Sequence, residues 1–314
     1  MTQPSNRPLP RISLITPVRN SAPYLEQTIR SILLQNYPNL EYFIVDGGST
    51  DGTLDIVRKY ESQISGWISE PDRGMYDALN KGFARTSGEI MGWISATDML
   101  HVGGLCVVGS VFRQLPEVEW ITGRPTTFNE EGMTVGVFNL MRWSRYRFLG
   151  GANRYIQQES TFWRRSLWDK AGRYVDASRR MASDFELWVR FFRHASLYTV
   201  DALIGGFRLH AASLGVQQVA EIHRIQDEII ESELSRLSTF RSLKLLREIS
   251  SAVKPIPKVR GVWQRLVINM LTRFSYQVPG GDLPSIIENN GTRWDFRQGR
   301  VTKPDYSSGA RRAR

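Results

Sequence analysis

RISLITPVRNSAPYLEQTIRSILLQNYPNLEYFIVD, residues 11–46, decides the fold class. It opens on an apolar run from Ile12 to Val18. Leu25, Ile29, Ile32 and Leu33 follow at helical spacing, and a second apolar run closes on Asp46. Strand, helix and strand in that order make a βαβ unit with parallel strands. The pattern repeats outward: TLDIVRKYESQ (53–63) reads as helix and SGWIS (65–69) as a short strand. GMYDALNKGFARTSG (74–88) then reads as helix ended by Gly88, and EIMGWIS (89–95) as strand. The sequence therefore predicts an α/β domain with a mostly parallel, Rossmann-like sheet and helices on both faces.

In such a sheet, binding residues gather at the carboxyl ends of the strands. The four loops expected there are rich in polar and conformationally special residues: Pro17, Arg19 and Asn20, then DGGSTDGT (46–53), SEPDRG (69–74) and SATD (95–98). A plain structural reading of the second loop is that Ser49, Thr50 or Asp51 caps the next helix.

Further on, HVGGLCVVGSVFRQL (101–115) reads as helix, VEWITG (118–123) as strand and TTFNEEGMTVGVFNLMRWSRYRF (126–148) as a hairpin-containing excursion. QQESTFWRRSLWDKAG (157–172) gives a strand and a short helix. MASDFELWVRFFRH (181–194) is an amphipathic helix whose Ser183 and Glu186 suit a capping box. LYTVDALIGGFRLH (197–210) supplies one or two strands, and from about residue 216 the pattern turns helical. The expected organisation is an N-terminal tail (1–10), a catalytic domain (11–215), a helical extension (216–276) and a flexible basic tail (277–314).

Residues 1–240 hold 26 basic and 26 acidic side chains, whereas residues 241–314 hold 15 and 5, so the whole net charge of +10 is C-terminal. A single cysteine, Cys106, excludes an intramolecular disulfide, and with four histidines leaves no Cys/His zinc site. No signal peptide or transmembrane run is evident, which favours a cytoplasmic protein. FRSLKLLREISSAV (240–253) and VRGVWQRLVINMLTRF (259–274) combine apolar stripes with basic residues. They suit an anionic membrane surface, and equally packing on the catalytic domain or on a second subunit of a homo-oligomer.

ISLITPVRN, YFIVDGGSTDGT, SEPDRGMYDALNKGFARTSGEIMGWISATD and QQESTFWRRSLW…MASDFELWVR together resemble a bacterial family-two glycosyltransferase of GT-A fold, of the exopolysaccharide and capsule type. The resemblance covers roughly residues 10–215. It implies a nucleotide-sugar donor, commonly a UDP-sugar, held by Pro17, Arg19, Asn20, Asp46, Asp72 and Lys81. It implies a divalent cation, Mg²⁺ or Mn²⁺, at Asp98, with His210 as a further ligand. The family's acidic cluster is reduced here to Ser95-Ala96-Thr97-Asp98, so one carboxylate would share the ion with phosphate and water. Transfer with inversion needs a general base beside the acceptor hydroxyl, and Asp184 matches that position, with Glu159 a second acidic residue on the acceptor side. Trp163 and Trp168 suit either stacking on a sugar or filling the core. The acceptor implied is a lipid-linked saccharide, which would bring the protein to the inner face of the cell membrane.

Three other readings are weaker. A sugar-phosphate nucleotidyltransferase would need a glycine-rich loop that ITPVRNSAPYL lacks. Nucleic-acid binding would place basic residues among exposed aromatics on the α/β domain rather than on a C-terminal tail. A non-catalytic relative would fit Thr97 in place of an acid.

Overall fold

The computed structural model describes residues 8–150, 154–211, 218–236, 286–289 and 293–296. Its centre is a seven-stranded sheet in the order β10-β6-β9-β4-β1-β2-β3. The strands are β1 (Ile12–Val18), β2 (Leu40–Asp46), β3 (Gly66–Ser69), β4 (Ile90–Trp93), β6 (Trp120–Thr122), β9 (Thr161–Arg164) and β10 (Leu197–Thr199). Only β9 runs antiparallel, wedged between β4 and β6. The helices expected in the first half form α1 (Ala22–Leu33), α2 (Thr53–Lys59), α3 (Met75–Phe83) and α4 (Gly104–Gln114). A smaller sheet lies beside the first in the order β5-β11-β7-β8, built from β5 (Met99–Leu100), β7 (Thr126–Phe128), β8 (Thr134–Val137) and β11 (Gly205–Arg208). Short α5 (Arg145–Leu149) and α6 (Arg165–Lys170), then α7 (Ser183–Phe191) and α8 (Val219–Ser235), complete the helices.

Strand periodicity explains why both faces of the sheet are covered. Along β1, Ile12, Leu14 and Val18 enter one apolar layer with Leu25, Ile29 and Ile32 of α1 and Leu105, Val108 and Phe112 of α4. Ile15 enters the opposite layer with Leu79 and Phe83 of α3 and with the apolar residues of α7 and α8. Pro17 ends no ladder, because β4 pairs with β1 only from Ile12 to Ile15. In the second layer Trp188 stacks on Trp93 at 5.8 Å and on Trp120 at 5.7 Å, and meets Trp163 edge-on at 5.7 Å. Trp163 and Trp168 are both buried there, so they fill the core.

Two sequence expectations are modified. The capping box at Ser183 and Glu186 does not form: the residue before α7 is Ala182, in a left-handed conformation with φ 61°, and the Ser183 hydroxyl donates to the Asp176 carbonyl instead. Within 277–314, β12 (Ile287–Asn289) and β13 (Trp294–Phe296) pair antiparallel. Ile287 and Trp294 are buried among the residues of the α4 layer, an apolar pair that basic composition concealed. The two basic helices expected over 240–253 and 259–274 lie outside the described residues.

Because Trp188 joins four aromatic neighbours in the layer beneath the site, Trp188→Ala is expected to lower stability by about 3–5 kcal/mol. Denaturant unfolding followed by circular dichroism checks this, and a loss below about 1 kcal/mol would show that the layer is loosely packed.

Candidate active site

The carboxyl end of β2 is organised by Asp46. Its Oδ2 accepts from the amides of Gly48 and Ser49, each at 3.0 Å, and from the Ser69 hydroxyl at 2.7 Å, so one buried oxygen shapes the DGGST loop and ties it to β3. The other oxygen, Oδ1, is buried with no hydrogen-bond partner. Asn20, at φ 49°, fastens the β1 loop to the same turn: its amide donates to Ser49 Oγ and its Oδ1 accepts from the Thr50 amide. Asp51 then accepts from the amides of Ala22 and Thr53, capping α1 and α2 with one carboxylate. Arg19 stands exposed at this edge.

Opposite, Asp72 accepts from the Gly74 amide at 2.8 Å. It also lies over Gly47, where a Cβ would come within 2.4 Å of its Oδ2, so only glycine permits the approach of the two loops. Lys81 reaches back from α3 to Glu70 Oε1 at 2.9 Å and to the Pro71 carbonyl at 3.1 Å, bracing the SEPDRG loop. Arg19, Asn20 and Asp72 therefore sit on the loops after β1 and β3, while Pro17 and Asp46 lie at the carboxyl ends of β1 and β2, and Lys81 reaches the third loop from α3.

A second group forms where the two sheets meet. Asp98 and Glu159 are both buried, and Asp184 is the second residue of α7. Burial pushes the Asp98 carboxyl up to about 7 against the lowering influence of the Arg208 amide, the Ser95 hydroxyl and the Arg208 charge. Burial first, and then the charges of Asp98 and Asp184, hold Glu159 well above the usual carboxylate range. Burial raises Asp184 as well. Three poorly solvated carboxyl groups, one of them raised further by the charges of the other two, are an arrangement typical of chemistry rather than of stability. Tyr155 lies near them with much of its side chain exposed.

Several residues that hold this group escaped the sequence reading. Arg208, fully buried, donates its amide to Asp98 Oδ1 at 2.9 Å and its guanidinium to the Thr97 carbonyl, Gln27 Oε1 and the Glu130 carbonyl, with the ring of Tyr24 at 5.1 Å. The one available signal was a charged residue inside the apolar strand pattern IGGFRLH. Gln157 pairs both ends of its amide with the backbone of Thr126 and so fixes the turn that carries Glu159. Around Asp184, Asn80 of α3 makes a two-way bond with the Val175 backbone, and the buried Tyr76 hydroxyl receives the amides at the start of α7 that Ala182 cannot cap. His210 lies to one side, its ring 5.1 Å from that of Tyr24, and burial lowers its pKa.

Among the described residues no group of three or more His, Cys, Asp and Glu is arranged to hold a metal ion. Asp98 suits a hard cation in ligand type but supplies one carboxylate, with one oxygen engaged by Arg208, so phosphate oxygens and water would have to complete the shell.

A mostly parallel sheet with polar loops at the carboxyl ends of its strands is the arrangement of the GT-A fold. The family model described as Glycosyl transferase family 2 matches residues 13–105. An uncharacterized glycosyltransferase of Rickettsia prowazekii is 25% identical over 235 residues, covering 69% of this chain and 70% of that protein. A PGL/p-HBAD biosynthesis glycosyltransferase of Mycobacterium bovis is 28% identical over 194 residues, covering 60% and 73%. Residues 1–349 of TarS from S. aureus, solved in complex with UDP-GlcNAc, superpose with TM-score 0.54 at 17% identity, covering 92% of this chain and 99% of that one. Of the longer TarS crystal chain this protein spans 40%. A mannosyltransferase from Pyrobaculum calidifontis, solved with GDP-Man and Mn²⁺, gives TM-score 0.52 at 18% identity over 84% and 86%. The chain is thus similar in sequence to family-two glycosyltransferases, and its fold is that of the solved GT-A enzymes.

Since Arg208 organises the Asp98 loop by three side-chain bonds, Arg208→Met is expected to destabilise the protein by at least about 1.5–3 kcal/mol. Thermal unfolding measures this. A stability matching wild type would mean that β5 and β11 hold the loop without the guanidinium.

Proposed function

We propose that the protein transfers a hexose from a nucleotide sugar, with a UDP-sugar as the donor, to a hydroxyl of a lipid-linked saccharide, with inversion at the anomeric carbon. The observation that carries this reading is the gathering of Asp98, Glu159 and Asp184 beside the three loops at the ends of β1, β2 and β3. The nucleotide occupies those loops. The unpartnered Asp46 oxygen offers an acceptor to a base N–H or a ribose hydroxyl, and Asn20, Asp72, Lys81, Arg19 and Pro17 form its surroundings. Solved neighbours holding UDP-GlcNAc and GDP-Man support a nucleotide-sugar donor in this type of crevice.

In the transfer, a lone pair of the acceptor oxygen forms the bond to the anomeric carbon while the bond from that carbon to the diphosphate oxygen breaks. Asp184 takes the acceptor's proton, and the nucleoside diphosphate leaves with the electron pair. A raised carboxyl is a stronger base than an ordinary aspartate, and the Phe185 amide at the start of α7 helps to hold it in place. Glu159, its carboxyl held well above the usual range by burial and by the charges of Asp98 and Asp184, stands on the acceptor side and orients the acceptor. Asp98, with His210 as a further ligand, would hold Mg²⁺ or Mn²⁺, whose charge would be available to neutralise a diphosphate.

Asp184→Asn is expected to bind donor as wild type does and to lose about 10²–10⁴ in transfer rate. The wild-type rate should fall on acidification, with a midpoint above the ordinary aspartate value because burial raises Asp184. Turnover within a few-fold of wild type at equal folded fraction would move the base to Glu159. Calorimetry separates the two donor carboxylates. Asp46→Ala should weaken UDP binding with or without Mn²⁺, whereas Asp98→Ala should remove mainly the increment that Mn²⁺ adds. An equal Mn²⁺ increment in wild type and Asp98→Ala would overturn the metal assignment.

A further inference from the structure

Trp163 and Trp168, the aromatic side chains that suited a sugar by sequence, are buried in the core, so neither can meet one. Tyr155 is the ring that can. It is 59% exposed and lies within reach of the charges of Glu159, Asp98 and Asp184. The topology brings it there: β9 runs antiparallel to β4, so the segment that enters β9 lies at the carboxyl edge of the parallel strands, and the Gln158 side chain donates to the Trp93 carbonyl at the end of β4. Tyr155 precedes Glu159 by four residues, a span of at most about 14 Å. Of the other exposed aromatic side chains among the described residues, Tyr174 carries the Arg190 guanidinium over its ring at 4.1 Å, and Phe138 follows β8 at the outer edge of the smaller sheet.

Both neighbours of Tyr155 are anchored. Arg154 pairs with Asp227 of α8 at 2.7 Å and donates to the His223 carbonyl of the same helix, while Ile156 is buried in the layer that holds Ile229 and Ile230 of α8. Gln157 follows, bonded at both ends of its amide to Thr126. The backbone is thus fixed on either side of a ring that stays open to water. The surroundings select what that ring can meet. A hexopyranose presents C–H bonds on its faces, which suit an aromatic ring, and hydroxyls round its rim, which suit carboxyl groups. A sugar bearing a carboxylate would instead add a like charge beside Asp98, Glu159 and Asp184, already held above their usual range. β9 enters the sheet two strand spacings, about 10 Å, from β1, so Tyr155 stands apart from the loops of the donor side.

We propose that Tyr155 is the platform on which an uncharged hexopyranose of the acceptor lies, held in place by α8 through its neighbours Arg154 and Ile156. This rests on the transferase reading and names the group that the acceptor presents to Glu159 and Asp184. Saturation-transfer NMR on the full chain with UDP and Mn²⁺ tests it, with the methyl glycosides of glucose, galactose, mannose, rhamnose and N-acetylglucosamine as probes and methyl glucuronide as the charged control. At least one neutral glycoside should take up saturation, most strongly at its ring C–H protons, and the glucuronide should take up less. Tyr155→Phe keeps the ring and should keep the signal within about twofold, whereas Tyr155→Ala should lose about fivefold or more. The position is exposed, so both variants should fold and bind UDP in calorimetry as wild type does. Equal signals from wild type and Tyr155→Ala, no signal from any neutral glycoside while UDP binds, or a glucuronide signal matching the neutral ones would overturn the proposal. A wild type that fails to bind UDP while its glycoside signal still depends on Tyr155 would count against the transferase reading and leave the platform standing.

Discussion

Three carboxyl groups gathered where little water reaches resist being there, because each loses hydration and Asp98 and Asp184 raise the cost of ionising Glu159. The surrounding architecture is explained by the need to hold them. Asp98 is fixed by the amide of Arg208, and the guanidinium of the same residue pins the chain on three sides of that loop. Glu159 rides on a turn locked by the side-chain amide of Gln157. Asp184 begins a helix whose start is set by α3 through Tyr76 and Asn80. Each is placed through contacts with residues distant in sequence, so the acidic group exists only when both sheets and both layers have formed.

The donor side obeys a different rule. Its residues lie on short loops that follow directly from β1, β2 and β3, and each loop is stabilised by its own turn chemistry: Asp46 on Gly48 and Ser49, Asp51 on two helix starts, and Asp72 on Gly74. Such local devices make preformed crevices, since the backbone amides are already satisfied or already aimed before a ligand arrives. Asn20 illustrates the consequence. Its side-chain carbonyl is engaged by Thr50, so its contribution to a bound nucleotide would run through the shape of the loop and through its Nδ2.

This contrast also separates what was legible in the sequence from what was not. Apolar runs and helical stripes identified β1, α1, β2 and their repeats, because strands buried on both faces of a parallel sheet are apolar throughout. The acidic residues were legible through resemblance, as letters in motifs. Arg208, Gln157, Tyr76 and Asn80 were not, because their partners lie tens of residues away and their types are unremarkable in strands and helices. The capping box at Ser183 failed for a related reason. The local signature was present, but Tyr76 supplies from another helix what a capping side chain would have supplied, leaving Ser183 free to bind Asp176. Trp294 and Ile287 were hidden by the basic composition around them.

Strand β9 settles how these levels join. It arrives late in the chain and inserts antiparallel between β4 and β6, bringing Trp163 against Trp93 at 5.4 Å and placing Glu159 immediately before the strand. Before that insertion β4 and β6 have unpaired edges, and afterwards the sheet is continuous and the tryptophan layer can close. The contact that completes the hydrophobic layer is thus made by the segment that also delivers an acidic residue to the site. Loosening β9 would shift Glu159 relative to Asp98 as well as open the core, so at this place in the fold stability and site geometry are set by the same pairing.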